Sequence, residues 1–185
     1  MEGEYYLVNA REMASGFLLK LDGDFQFFFS YGALDRHGSG KWQLNGNKLV
    51  LNSVTRAGND FSLVESRKTP GDEIILKMDT VNPAFARHIY CSLENGIDGS
   101  WSSMDGNGEI SFPRKKIDTI CLLLEFCPER FSAIAVDPEH TEFIVRIEAT
   151  IMEVFFDNFS LQAGKAILSG RHPLMEGNEF KYEKQ

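Results

Sequence analysis

The residues best suited to bind a ligand stand together in one predicted loop. Asp35, Arg36 and His37 are consecutive, and they lie between the aromatic residues Tyr31 and Trp42, with glycines on both sides of the triplet. Polar and aromatic side chains on a loop that a rigid sheet holds in place form many binding sites. The segment therefore predicts a site made of these five side chains. The alternative is that Tyr31 and Trp42 belong to the core and that the triplet only caps a long turn.

Phenylalanine alternates in the strand that precedes this loop. Phe25, Phe27 and Phe29 share one face, and Phe28 lies on the other. If the sheet closes over the first face, Phe25, Phe27 and Phe29 would line a cavity for an apolar ligand, whereas a packed core would leave none. Because Phe28 presents an aromatic ring to the second face, something must cover that face. The candidates are the C-terminal strands, a neighbouring domain or a ligand.

Two carboxylates suggest an enzymatic alternative. Glu125 lies between Leu124 and Phe126, where burial would raise its pKa and suit it to act as a general acid. With a second carboxylate such as Glu153 it could support hydrolysis on a sheet face, provided that the two groups lie within roughly 10 Å across one cleft. The opposing interpretation is an exposed Glu125, or one paired with a basic neighbour.

The cysteines and histidines form no catalytic or metal-binding pattern. His88 and Cys91 are three residues apart, so they would point to opposite faces of a strand. Cys121 and Cys127 would be about 20 Å apart along a straight strand, which predicts small buried hydrophobic side chains. None of the four histidines belongs to a metal-spaced pair.

Residues 105–109 begin like a calcium loop, with oxygen ligands at alternate positions. The sixth and twelfth positions should be glycine and a carboxylate, but they are Ile110 and Lys116. Asp, Asn and Gly are typical of tight turns, so this segment predicts a hairpin turn. The sequence therefore predicts no metal and no cofactor.

The chain is acidic, with a net charge of -8 at pH 7 over its 185 residues. Such a surface repels phosphate backbones and anionic lipid, so we expect no nucleic-acid partner. No apolar run reaches about 18 residues, so we expect no membrane span. The start of the chain lacks the features of a signal peptide, which predicts a cytoplasmic protein, or an exported one if a signal peptide precedes this sequence. The expected partner is an apolar small molecule or another protein.

Turn signals arrange the first 52 residues as an antiparallel meander. Asp22-Gly23 and Asn45-Gly46 are strong hairpin signals, and residues 32–40 are expected to form a longer loop. Strands joined in sequence order favour a meander or a partial barrel. We therefore predict an all-β fold with little helix, in which residues 1–82 form the first domain.

The remaining strands are separated by turn-like segments about every eight to twelve residues, which is typical of a β-sandwich. Residues 83–163 are predicted to form such a module. Residues 164–185 are expected to form C-terminal edge strands and loops that pack on the first domain.

Two sets of turn residues resemble known β modules. The first set is Asp22-Gly23-Asp24-Phe25, Tyr31-Gly32, Asp35, Gly40, Trp42 and Gly46-Asn47-Lys48-Leu49. It resembles the opening meander of bacterial lipocalin-like proteins, over residues 1–52. The second set is Asp105-Gly106-Asn107-Gly108-Glu109-Ile110-Ser111-Phe112-Pro113 with Ile117-Asp118-Thr119-Ile120. It is similar to transthyretin-like modules of the carboxypeptidase regulatory type, over residues 87–160, and such modules are non-catalytic sandwiches.

The function favoured by the sequence is a non-enzymatic module that binds a small ligand or a protein. The alternative is a carboxylate-dependent hydrolase that acts on a sheet face. A third hypothesis is a purely structural role as an accessory β module. The resemblances imply a bacterial family without an assigned function, so they do not choose among the three.

Overall fold

The computed structural model describes residues 1–54, 59–80, 82–94, 99–177 and 179–185. The fold is all-β, as predicted, with 53% strand and 5% helix. The chain forms two compact units. The first consists of Met1–Ala57 and Met152–Gln185, and the second consists of Gly58–Ile151. These limits differ from the predicted boundaries after residues 82 and 163 for two reasons. The strands Phe61–Arg67 and Glu73–Met78 pair inside the second unit, and the C-terminal strands complete the first.

The first unit is a closed barrel of eight strands. Around the barrel the order is β1-β16-β15-β14-β5-β4-β3-β2, with every neighbouring pair antiparallel. The predicted meander is therefore confirmed as β1 to β5, and β14 to β16 close it. β15 and β16 are paired on both sides, so the expectation of C-terminal edge strands is wrong. The strands are β1 Gly3–Leu7, β2 Met13–Leu19, β3 Asp24–Tyr31, β4 Leu34–Asn45, β5 Lys48–Asn52, β14 Phe159–Ala163, β15 Ile167–Gly170 and β16 Phe180–Lys184.

Glycines with positive φ make the tight turns of the meander. Gly23 (φ 83°) and Gly46 (φ 66°) lie at the two predicted hairpins, in a conformation that a Cβ disfavours. Gly32 (φ 60°) makes a third tight turn, since Tyr31 pairs directly with Leu34. The predicted loop over residues 32–40 is therefore wrong, because the chain turns at once and continues as β4.

The second unit contains two four-stranded sheets. One has the order β10-β7-β13-β6 and the other the order β12-β11-β8-β9. Only the β7–β13 pair is parallel among the named strand pairs of the described residues. The elements are β6 Phe61–Arg67, β7 Glu73–Met78, α1 Pro83–Ala86, β8 Ile89–Ser92, β9 Ser102–Ser103, β10 Glu109–Pro113, β11 Thr119–Leu124, β12 Ser132–Ala135 and β13 Glu142–Ile147.

The turn at residues 105–109 connects these two sheets. One carboxylate oxygen of Asp105 accepts backbone N–H groups of Asn107 at 2.8 Å and Glu109 at 2.9 Å. These hydrogen bonds hold the pKa of Asp105 below its usual value. Because β9 and β10 belong to different sheets, the segment is a turn but not the predicted hairpin.

A buried ion pair joins the beginning and the end of the second unit. The guanidinium Nε of Arg130 lies 2.5 Å from a carboxylate oxygen of Asp60, whose side chain is 3% exposed. The same guanidinium donates to the carbonyl oxygens of Thr150 and Ile151, both at 2.9 Å. The Thr150 hydroxyl donates to Asp60 at 3.1 Å. The entry and exit of this unit are therefore held together by one polar network.

Candidate functional site

The five residues of the predicted loop site do not come together, because they lie along β3 and β4. Arg36 points into the barrel, is 3% exposed and donates to the carbonyl oxygen of Glu153 at 3.2 Å. Asp35 and His37 are exposed on the outer face. Trp42 donates its indole N–H to the carbonyl oxygen of Lys20 at 2.9 Å. Tyr31 is half exposed at the turn.

Phe27 and Phe29 lie inside the barrel, as their alternation predicts, and their rings are packed. The Phe156 ring centroid lies 5.3 Å from that of Phe27 and 5.0 Å from that of Phe25. His172 lies 5.5 Å from Phe29, again between ring centroids. Other side chains thus occupy the space beside these rings, where the sequence predicts an apolar ligand. This region of the barrel is packed core.

Glycine on the inner face of β4 makes room for Phe156. Gly38 pairs with Phe27. A Cβ on Gly38 would lie 2.6 Å from the carbonyl oxygen of Val154 and 2.7 Å from the Phe156 ring. The segment that carries Phe156 follows β4 closely, since the Val154 N–H donates to the carbonyl oxygen of His37 at 2.7 Å. Gly38, one of the glycines that suggested a loop, therefore serves close packing inside the barrel.

His172 is a buried titratable group of this core. Its Nδ1 accepts the backbone N–H of Leu174 at 3.0 Å, so the proton of the neutral ring is on Nε2, which lies 3.1 Å from the Ser15 hydroxyl. Ser15 donates in turn to the carbonyl oxygen of Phe28. Burial lowers the pKa of His172 to about 4. The imidazole is therefore a neutral member of the core.

The outer face of the barrel carries a row of directly paired residues from β1 to β4. Tyr6 pairs with Gly16, Gly16 with Phe28, and Phe28 with His37. Directly opposite residues share a face of the sheet. Tyr6 and Phe28 are each 37% exposed, which is unusual for two large rings in contact.

Gly16 allows these two rings to meet. A Cβ on Gly16 would lie 2.8 Å from the Phe28 ring, so Phe28 covers the glycine. Across it, the Tyr6 and Phe28 rings make an edge contact, with centroids 5.9 Å apart and planes inclined at 61°. The result is an exposed corner formed by two aromatic rings.

A groove of about 490 Å³ runs along this corner. The Tyr6 hydroxyl donates to the Glu4 carboxylate at 2.8 Å, and this bond raises the pKa of Tyr6. On the other side of Tyr6, Glu183 is its direct partner in β16. We name this groove the outer groove. Its outward side chains belong to Glu4, Tyr6, Leu18, Gln26, Phe28, His37 and Ser39.

Sequence reasoning missed Tyr6 and Glu4 as site residues. The signal in the sequence was the run Phe27, Phe28 and Phe29. It predicts that the Phe28 ring lies on the outer face, where another group must shield it from water. In the structure Phe28 is only partly covered, by Tyr6. The partner ring comes from another strand, so no local pattern could show the contact.

The carboxylates of the hydrolase hypothesis lie in different compact units. Glu125 is exposed, and its carboxylate lies 2.7 Å from Nδ1 of His88. Glu125 therefore matches the opposing interpretation of an exposed carboxylate paired with a basic neighbour, and it is not a buried acid. Glu153 belongs to the barrel unit, where its backbone carbonyl accepts from Arg36.

Three cysteines are buried and carry free thiols: Cys91, Cys121 and Cys127. They pack as small hydrophobic side chains. Burial raises the pKa of Cys91 to about 12, so the side chain is a thiol near neutral pH and not the nucleophilic thiolate. In the part of the chain that the structure describes, no cluster of three or more His, Cys, Asp or Glu side chains could hold a metal ion.

No helix among the described residues has the length and apolar character needed to cross a bilayer.

Comparisons with protein-family models, with curated proteins and with solved structures give no match to this chain.

Proposed function

We propose that this protein is a non-enzymatic interaction module that binds a protein segment in the outer groove. The observation that carries the proposal is the exposed contact between Tyr6 and Phe28 over Gly16. Aromatic residues are enriched at protein interfaces, because they bury a large area with few rotatable bonds. A bound partner buries the part of Phe28 that is exposed in the free protein.

The alternative of a small apolar ligand inside the barrel has less support. Phe25, Phe27 and Phe29 are between 1% and 8% exposed, and Phe156 and His172 pack against them. A ligand there would have to displace those rings. The outer groove requires no such rearrangement.

The hydrolase hypothesis also has less support than binding. Glu125 forms a solvent-exposed pair with His88 rather than a buried acid. Cleavage by paired carboxylates needs both groups on one cleft. The outer groove has one carboxylate, Glu4, among its outward side chains. We therefore propose no reaction.

Selection from a displayed library of random peptides tests the proposal. We expect peptides selected on the full chain to lose at least about tenfold in affinity for a Tyr6→Ala, Phe28→Ala double variant, because the rings supply the contact area. The matched control is Leu21→Ala, Leu44→Ala, which removes two exposed apolar side chains of the barrel unit outside the groove lining. Selected peptides that bind the double variant as tightly as the unchanged protein would contradict the proposal, and so would a selection that enriches none.

A further inference from the structure

We infer that the outer groove recognises a guanidinium group, as an arginine side chain of the bound protein segment. This inference rests on the proposed function and names the chemistry of the partner. The groove combines an aromatic corner with the Glu4 carboxylate, and Glu183 faces outward beside Tyr6 next to it. The aromatic rings and the carboxylates attract the same kind of group.

The aromatic corner supplies the first attraction. Tyr6 and Phe28 are each 37% exposed, and their ring planes are inclined at 61° rather than stacked. The face of an aromatic ring carries negative charge density, so a cation within about 6 Å of the ring centroid is attracted to it. A planar guanidinium can also stack on a ring, which an ammonium cannot do.

The carboxylates supply the second attraction. Glu4 lies at the edge of the corner, since its carboxylate accepts the Tyr6 hydroxyl at 2.8 Å. One carboxylate can accept several hydrogen bonds, so this contact leaves capacity for a guanidinium donor. Glu183 faces outward beside Tyr6 in the adjacent strand. A carboxylate beside an aromatic face therefore makes the corner complementary to a cation.

Two further outward side chains of the groove fit the same ligand. Gln26 and Ser39 are uncharged and can accept hydrogen bonds from the N–H groups of arginine. The whole chain has a net charge of -8, so it attracts basic segments at longer range. The net charge of the whole chain thus favours the same sign of partner as the carboxylates beside the corner.

The test uses end-blocked peptides of alternating serine and arginine, with otherwise identical peptides that carry citrulline or lysine. Citrulline keeps the shape of arginine but has no charge. Titrations of the full chain, followed by NMR, give the affinities and the residues whose signals shift. We expect the arginine peptide to bind at least about tenfold more tightly than the citrulline peptide, and to shift the signals of Tyr6 and Phe28.

Two matched variants separate local recognition from general charge attraction. Glu4→Gln should weaken binding of the arginine peptide by about fivefold. Glu65→Gln removes the same charge from an exposed side chain of the second unit and should change the affinity less than about twofold. Equal effects of the two variants would overturn the inference, because they would show attraction to net charge alone.

The remaining outcomes distinguish this inference from the proposed function. Equal binding of the arginine and citrulline peptides, with both weakened by Phe28→Leu, would overturn cation recognition and leave the groove as a binding site. A lysine peptide that binds as tightly as the arginine peptide would overturn the choice of guanidinium. An arginine peptide that fails to bind at about 1 mM would overturn the inference as a whole.

Discussion

His172 is a neutral imidazole enclosed by aromatic rings, which makes the stability of the barrel dependent on pH. Both ring nitrogens are engaged: Nδ1 accepts the N–H of Leu174, and Nε2 faces the Ser15 hydroxyl. Protonation would put a second proton on Nδ1 and break the bond to Leu174. Burial also disfavours the charged ring, and for both reasons the folded barrel resists protonation at this site.

We expect the free energy of unfolding of the barrel to fall as the pH is lowered from about 6.5 to about 4. The folded pKa of about 4 lies below the unfolded value of 6.5, so between these values the unfolded chain binds more protons. The contribution of His172 is therefore fully present above pH 6.5 and is lost as the pH falls towards 4. Its size is at most about 3 kcal/mol. Denaturant titrations at several pH values, followed by Trp42 fluorescence in a Trp101→Phe background, measure it.

The exposed residue His37 provides the control. His37→Gln should keep the pH dependence, whereas His172→Gln should reduce it, even if the latter variant is less stable at every pH. An NMR titration of the unchanged protein gives an independent check, because the ring signals of His172 should show no protonation above about pH 5. A His172 that titrates near 6.5 would contradict this account.

At the scale of the element, β4 shows why a glycine-rich segment can be a strand. Its inner face needs Gly38 where the segment around Phe156 approaches. We expect Gly38→Ala to destabilise the barrel by about 2 kcal/mol or more, because the added methyl group has no space between Val154 and Phe156. The same fluorescence-detected unfolding of the barrel measures the loss.

A second substitution on β4 gives a matched comparison. Ser39 follows Gly38 but is exposed, so Ser39→Ala should change the free energy of unfolding by less than about 0.5 kcal/mol. Equal losses for the two substitutions would contradict close packing as the reason for glycine at position 38.

The elements differ in how far their sequences predict them. Asp22-Gly23 and Asn45-Gly46 are local signals, and the hairpins form where they predict. Residues 34–40 form a strand although their glycines predict a loop, because Gly38 is needed for a contact with a segment more than a hundred residues away. The paired residues of β1 and β16 are even further apart in sequence. Long-range pairing of this kind leaves no local pattern, and the Tyr6–Phe28 contact was missed for the same reason.

At the scale of the whole molecule, the second unit is inserted between β5 and β14 of the barrel. Chain ends that lie close together are what allow one compact unit to be inserted into another. In the second unit, Asp60 and Thr150 are in direct contact near the two ends, and Arg130 bonds to both. Each unit has its own buried residues, so we expect each to unfold with its own transition.

The Asp60–Arg130 pair tests this independence. Arg130→Met removes the guanidinium that bonds to the buried Asp60 carboxylate and to the carbonyl oxygens of Thr150 and Ile151, so we expect the second unit to lose about 3 kcal/mol or more of stability. Trp101 belongs to the second unit and Trp42 to the barrel, so single-tryptophan backgrounds report the two transitions separately. Only the Trp101 transition should move. Arg146→Met, which breaks a partly exposed pair with Asp79, should cost about 1 kcal/mol or less. A comparable shift of the Trp42 transition in Arg130→Met would show instead that the two units unfold as one, with the barrel depending on the network that joins the ends of its insertion.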